Sequence, residues 1–425
     1  MEKGEIVKEI HGLIKQYFSQ EQRNFVPNET AIPIAAPPYG FEEVNEAVDS
    51  LLSRWVTMGE KVKKFEEEYA KYIGVKYAIM VNSGSSANLL ATELMKLPPG
   101  SEVITPIVTF TTVIAPLVQK RLVPVFVDAE MGSYLLNIDQ VEKVITKKTR
   151  ALMVPSLLGN IPDMRRLAAL ARKHNLFFIE DSCDTIGATF AVKPTGTYSD
   201  MSTTSFYGSH IITAGGGGGM ICVNRPDDVR TLKVLRGWGR SSAVTESEDI
   251  EERYKNKISG IPYDSKFIFE TIGYNFLPLE TSGAFGLVQL QKLKGFSQIR
   301  KHNFARLYSF FSQYEHYFYL PRQHREVETS WLAFPLTIKK GSPFTRVEIV
   351  KFLEHRNIQT RPLFSGNILR QPGFKNIPSR RPFRSYPVAD AIMENSFVIG
   401  CHHGLTDRHT QYLLETFEEF FSRFV

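Results

Sequence analysis

Three short segments hold residues whose types and order could do chemistry. Asn82-Ser83-Gly84-Ser85-Ser86-Ala87-Asn88 follows an apolar run and opens a helical pattern. Free backbone N–H groups at a helix N-terminus, beside small hydroxyl residues, make an anion site. A glycine there lets the backbone approach a phosphate closely. The same residues also read as an ordinary serine N-cap. Phe177-Phe178-Ile179-Glu180-Asp181 is an apolar strand ending in two carboxylates. A carboxylate at that place can pair with the protonated ring nitrogen of a bound cofactor, or cap the next helix. Ser205-Phe206-Tyr207-Gly208-Ser209-His210 leads into Thr213, Ala214 and five glycines, Gly215 to Gly219. The imidazole can move a proton near neutral pH, or be a plain polar residue. The glycines allow close backbone approach, or a mobile loop.

The elements that must position these segments follow from apolar periodicity. Tyr77–Val81, Glu102–Thr105, Val123–Val127, Ala151–Pro155, Leu176–Glu180, Ser202–Tyr207 and Met220–Val223 read as strands. Ser86–Met95, Ile138–Ile145, Asp163–His174 and Asp227–Leu235 read as helices between some of them. This alternation predicts an α/β fold with a mostly parallel sheet flanked by helices. Such sheets bind ligands beyond the carboxyl ends of their strands, where all three segments lie. Before the strands come helical patterns at Glu5–Ser19, Phe41–Trp55 and Glu60–Ile73, with an extended arm from Val26 to Tyr39. After them come a long helix, Thr281–Tyr314, and a smaller α+β lobe. That lobe is expected to hold a strand Trp331–Ile338, a helix Arg346–His355, a strand Ile358–Arg361 and a final helix Arg408–Phe424. The expected units are 1–40 (helix and arm), 41–300 (large domain) and 301–425 (small domain).

Composition narrows the classes further. The chain has 425 residues, 43% hydrophobic and 23% charged, which suits an ordinary globular protein and excludes disorder, collagen and coiled coil. Its 51 basic and 45 acidic residues leave a mild +6 with the cations spread out, so no nucleic-acid partner is expected. No apolar run is long enough for a membrane span, and the charged N-terminus lacks a signal peptide's apolar core. A cytoplasmic location without membrane association is expected. Three cysteines exclude a disulfide scaffold.

Taken in order, the phosphate-type turn, Phe110 after a strand, the strand-end Asp181 and the loop Ser205–His210 resemble one family. It comprises the fold-type I pyridoxal-phosphate enzymes acting on nucleotide-linked sugars, the DegT/DnrJ-like sugar aminotransferases and 3-dehydratases. The resemblance runs from about Phe41 to Phe424 and includes Leu158-Gly159-Asn160, Gly273-Tyr274-Asn275 and Arg361-Pro362. It implies a PLP/PMP-dependent transferase fold with a smaller C-terminal lobe. It implies that Gly84, Ser85 and Ser205 hold the cofactor phosphate and that Phe110 stacks on the ring. Asp181 would pair with the ring nitrogen, and Asp184 would lie near the ring hydroxyl. Asn275 would reach the phosphate of a second subunit's cofactor, which implies a homodimer.

His210 stands where the family's aminotransferases carry the lysine that bonds covalently to the cofactor. It cannot form that bond, so the resemblance is to the 3-dehydratases of deoxysugar pathways. There a histidine base works on pyridoxamine phosphate, a nucleotide-linked 4-keto-6-deoxy sugar loses its C-3 hydroxyl, and L-glutamate restores the amine. Arg236-Gly237-Trp238-Gly239-Arg240, Ile272 to Phe276 and Arg361 to Asn367 are similar to segments of those dehydratases. Arg240, Arg361 and Asn367 become substrate-binding candidates, since guanidinium suits phosphate and hydroxyl oxygens; ion-pair roles are the alternative. One branch, like the CDP-4-keto-6-deoxyglucose 3-dehydratases, carries an iron–sulfur cluster. A cluster needs four thiolates, yet Ser241 to Asp264 contains no cysteine, and only Cys183, Cys222 and Cys401 exist. The expectation is therefore no cluster and no metal, as in the GDP-4-keto-6-deoxymannose 3-dehydratases. Gly216 replaces a glutamate that the family loop usually carries. That departure keeps a sugar-nucleotide-binding paralogue open beside the aminotransferase alternative.

Overall fold

The computed structural model describes residues 2–20, 25–35, 39–244 and 249–424. A seven-stranded sheet runs in the order Tyr77–Val81, Gly219–Val223, Met201–Ser205, Phe177–Asp181, Thr149–Pro155, Glu102–Pro106, Val123–Val127. The last five are mutually parallel, while Gly219–Val223 runs antiparallel to both its neighbours. Parallel strands buried on both faces read as continuous apolar runs, and successive side chains point to opposite faces. Thus Ala151 and Met153 join one core with the helix Gly84–Leu94, and Leu152 and Val154 join another with Met164–His174. The third core packs Glu60–Ile73 and the long helix against Met80, Met220 and Cys222.

That long helix spans Glu280–Ser312 and leads into an antiparallel sheet ordered Phe318–Tyr319, Phe334–Ile338, Ser396–Ile399, Thr360–Pro362. Phe311, Phe318, Phe334 and Phe417 are fully buried beneath it. Each such ring contributes about 2–3 kcal/mol by leaving water. Asp128, after the last strand of the large sheet, ties the lobe on. Its carboxylate accepts from the N–H groups of Val388 and Ala389, at the start of the helix Pro387–Asn395.

The boundaries depart from the sequence reading where the backbone turns. The helix expected to reach Trp55 ends at Leu52, with Arg54 at φ +63°. The strand expected from Trp331 begins at Phe334, because Trp331 itself has φ +22°. The N-terminal helix spans Lys3–Gln20, buries none of its residues, and touches the body through His11 Nε2 and Asp49 Oδ1 at 2.9 Å. In the arm, Ile32 pairs with Ile358; residues 36–38 of that expectation lie outside the described residues.

Candidate active site

The carboxyl ends of the parallel strands meet a cavity of about 470 Å³. Gly84, Ser85, Phe110, Asp181, Asp184, Ser205 and His210, widely spaced in the chain, all line it. Ser83 caps the helix Gly84–Leu94, its Oγ accepting from Ser86 N at 3.1 Å, and the first residues of that turn, Gly84 and Ser85, line the cavity. Ser205 ends its strand directly opposite. A Cβ on Gly84 would lie 2.5 Å from Ser205 Cβ, so only glycine permits this approach. Gly218, at φ +103°, pairs with Ser83 and closes the cradle from the third side.

Asp181 and Glu180 are separated by the strand's alternation. Glu180 points away from the cavity, bonded to Ser182 Oγ and Gly196 N, and burial pushes its pKa up to about 7. Asp181 faces the cavity. Its Oδ2 accepts from Asn88 Nδ2 at 2.8 Å and its Oδ1 from Cys183 N at 3.0 Å. Thr203 Oγ1 donates to Asn88 Oδ1 at 2.6 Å, which fixes which end of the amide meets the aspartate. Asn88 and Thr203 are the supports that motif reading missed. The available signal was an asparagine, a poor helix former, inside the first turns of a helix that opens on small residues.

His210 Nδ1 lies 3.1 Å from the Ser205 carbonyl. A carbonyl only accepts, so Nδ1 carries the hydrogen, and Nε2 of the neutral ring keeps its lone pair. Nε2 stands 3.8 Å from Asp184 Oδ1, too far for a hydrogen bond, with the side chain 17% exposed toward the cavity. Burial lowers the imidazole's pKa from its ordinary value, a direction the Ser205 carbonyl and Asp181 partly oppose. Burial raises Asp184 to about 7 although Leu158 N donates to its Oδ2 at 2.9 Å. Phe110, 53% exposed, and Phe364 meet edge to face at 6.5 Å across the cavity wall. Ser365 Oγ donates to the Thr109 carbonyl at 2.6 Å and so holds that wall to the small lobe.

The other expected site residues lie elsewhere in this chain. Asn275 is exposed and pairs through its backbone with Gly237. Arg240 lays its guanidinium over Trp238 at 4.3 Å. Arg361 is exposed and donates to the Thr360 carbonyl. Asn367 is buried, with its amide on Asp390 at 2.6 Å and its carbonyl accepting from Leu369 N. Gly216 has open space where a side chain would stand, and φ +93°.

The donor set fits pyridoxal or pyridoxamine phosphate. A glycine-lined cradle meets a helix N-terminus at one end, a buried carboxylate held by two N–H donors lines the cavity, and an aromatic ring forms part of its wall. The Ser156 hydroxyl, 2% exposed and lining the same cavity, has no hydrogen-bond partner among the described residues and is free for a ring substituent.

A mostly parallel sheet with this cradle at its strand ends and a small antiparallel lobe behind it defines an enzyme of the aminotransferase fold. The chain matches the DegT/DnrJ/EryC1/StrS aminotransferase family over residues 39–418, and it belongs to that family. It is 34% identical over 428 residues to the lipopolysaccharide biosynthesis protein RfbH of Salmonella typhimurium, spanning 97% of this chain and 98% of that one. It is 36% identical over 422 residues to the dTDP-4-dehydro-2,6-dideoxy-D-glucose 3-dehydratase of Saccharopolyspora spinosa, spanning 95% and 89%. Among solved structures, it resembles the E. coli GDP-4-keto-6-deoxy-D-mannose-3-dehydratase with bound hydrated PLP. That match has a TM-score of 0.82 at 30% identity, covering 91% of this chain and 98% of the other.

Proposed function

We propose that the protein is a PLP/PMP-dependent 3-dehydratase. It removes the C-3 hydroxyl of a nucleotide-linked 4-keto-6-deoxyhexose, with L-glutamate as amino donor. The observation that carries this reading is His210, with a free Nε2 lone pair, in a cavity whose described lining contains no lysine. Relatives named as 3-dehydratases support it. When bound, the cofactor supplies an amine to condense with a 4-keto group and an electron sink for departure of the C-3 hydroxyl.

The chain's own residues do the rest. Gly84, Ser85 and Ser205 bind the phosphate, with the helix N-terminus facing it. Asp181, oriented by Asn88, pairs with the ring nitrogen and keeps it protonated. Phe110 covers the ring face. His210 accepts and returns a proton at Nε2, its lowered pKa keeping the base form at neutral pH. Asp184 and Ser156 flank the ring hydroxyl.

In the proposed homodimer, Asn275 and Arg240 complete the neighbouring cavity, which their position outside this chain's own cavity favours. Arg361 serves the sugar nucleotide, and Asn367 shapes the wall behind Phe110. Three free cysteines suit a reducing cytoplasm. No described helix is long and apolar enough to cross a membrane. Three cysteines also fall short of the four thiolates of an iron–sulfur cluster. The test is a panel of 4-keto-6-deoxy sugar nucleotides with glutamate, analysed by mass. Loss of water with no retained nitrogen is expected. Retained nitrogen would establish an aminotransferase, and no conversion of the cofactor's absorption by glutamate would establish a binding protein.

A further inference from the structure

Arg300, on the long helix, is the largest fully buried side chain, at 0% exposure. Such a cation normally sits against a carboxylate. Here the described partners are neutral. Nε donates to His403 Nδ1 at 3.1 Å, and Nη1 donates to the carbonyls of Trp331 and Leu332 at 3.3 and 3.1 Å. Nη2 has no hydrogen-bond partner among the described residues.

Those two carbonyls lead to the active site. The N–H between them, that of Leu332, donates to the Leu158 carbonyl at 2.7 Å. Leu158 is left-handed, at φ +57°, and this turn aims its own N–H at Asp184 Oδ2, 2.9 Å away. Thr329 Oγ1 donates to the next carbonyl, that of Gly159. The two segments touch so closely that a Cβ on Gly159 would stand 2.8 Å from Leu332 N and Trp331 Cα. Asp184 in turn faces His210 Nε2. A continuous chain of donors and acceptors therefore runs from the guanidinium to the carboxylate opposite the base.

We propose that Arg300 is a positioning residue for His210. It seats the Trp331–Leu332 segment on the Leu158 turn, which holds Asp184 in place opposite the base, and its unneutralised charge adds to the effect of burial in disfavouring a proton on His210. A charge without a counterion acts over a longer range in a low-dielectric interior. The groups around His210 are Asp181, Asp184 and Cys183 from the strand end and Tyr207 from its own loop, while Arg300, outside the cavity lining, acts on it only through its charge. Asp181 favours the protonated imidazole and Arg300 opposes it. The groups around Arg300 itself are Cys401, His402 and His403. Burial holds both histidines far below their ordinary pKa, at about 3 and about 2, so neither adds charge.

This rests on the choice of His210 as base, but its test needs no substrate. The imidazole of His210 is titrated by NMR in the cofactor-loaded and cofactor-free protein, assigned against His210→Asn, in wild type, Arg300→Gln and Arg300→Lys. Arg300→Gln keeps a donor for the carbonyls and loses the charge; its His210 midpoint should rise by about half a pH unit or more. Arg300→Lys keeps the charge and should hold the midpoint, while exchange of the Leu158 amide quickens because one ammonium cannot span both carbonyls and His403. A folded Arg300→Gln with an unmoved midpoint overturns the proposal. If that variant does not fold, Arg300→Lys decides: an unchanged Leu158 amide refutes the positioning chain. A dehydratase assay that fails while the midpoint shifts would reject the reaction and leave the positioning role standing.

Discussion

Replacing Gly84 with alanine sets two calculable effects against each other. Gly84 is helical, and alanine in a helix is favoured over glycine by up to about 1 kcal/mol. Against that, the new methyl would stand 2.5 Å from Ser205 Cβ, 3.0 Å from Ser205 Oγ and 3.1 Å from Cys183 Sγ. Ser205 Cβ is fixed to a buried strand, so strand and helix must part by several tenths of an ångström. Overpacking of this kind costs roughly 1–3 kcal/mol, so steric cost exceeds propensity. The expected net is a loss of about 1–2 kcal/mol in stability, read by denaturant midpoint. Cofactor affinity should fall by about tenfold or more, the equivalent of ~1.4 kcal/mol at the widened cradle. Gly295→Ala is the control, because it is helical and nothing lies within 4 Å of its Cβ. It should raise stability by about 0.5–1 kcal/mol. A Gly84→Ala protein as stable as wild type, binding pyridoxal phosphate equally well, would refute the close-approach argument.

Other outcomes follow from the same geometry. His210→Asn should slow solvent exchange of the cofactor methylene proton by about 10²–10⁴-fold; an unchanged rate would remove the histidine from proton transfer. Burial lowers the His210 pKa, so the acid limb of the pH–rate profile should lie below the ordinary histidine value. A limb at or above that value would contradict the buried neutral ring. For stability, His402 and His403, lowered to about 3 and 2, lose their contribution as pH falls below their unfolded value. Glu180 and Asp184, raised to about 7, gain as pH falls toward their unfolded values. The two pairs nearly cancel between about pH 7 and 5, so Tm should stay flat there and drop below about pH 4; a steep fall between 7 and 5 would show the pairs are not balanced. Asp128→Ala strips the cap from the helix Pro387–Asn395 and should cost about 1–3 kcal/mol, measured by urea unfolding. Burial raises the thiols of Cys183, Cys222 and Cys401, so native labelling by a thiol reagent should be slow until the chain unfolds.

Much of this arrangement is legible in the residues. Alternating apolar runs locate every strand of the large sheet, and the strand-end rule places Asp181 and Ser205. What periodicity lacks is direction and long-range contact. The antiparallel course of Gly219–Val223 has the same apolar pattern as a parallel strand. The helix Thr111–Gln119 has no clear helical signal, because Pro116 and five β-branched residues (Thr111, Thr112, Val113, Ile114 and Val118) argue locally against it, and tertiary packing overrides them. The helix Pro387–Asn395 and strand Ser396–Ile399 follow a basic, proline-rich stretch that masks their period. Arg300 shows no signal in sequence at all, since one arginine on a long helix reads as solvated until its neighbours are known.

The antiparallel strand also bears on how the molecule is made. Tyr77–Val81, early in the chain, finds its only sheet neighbour among the described residues in Gly219–Val223, and Ser83 meets Gly218. The cradle proposed for the cofactor phosphate thus joins two stretches that leave the ribosome far apart in time. Contacts so distant in sequence form late, because the intervening loop must first be closed. A nascent chain that has not yet released the strand after the glycines has every parallel strand but no complete cradle. Cofactor capture is then a report on finished folding of the large sheet, and a cell short of the vitamin would be expected to accumulate folded chains awaiting cofactor rather than half-formed ones holding it.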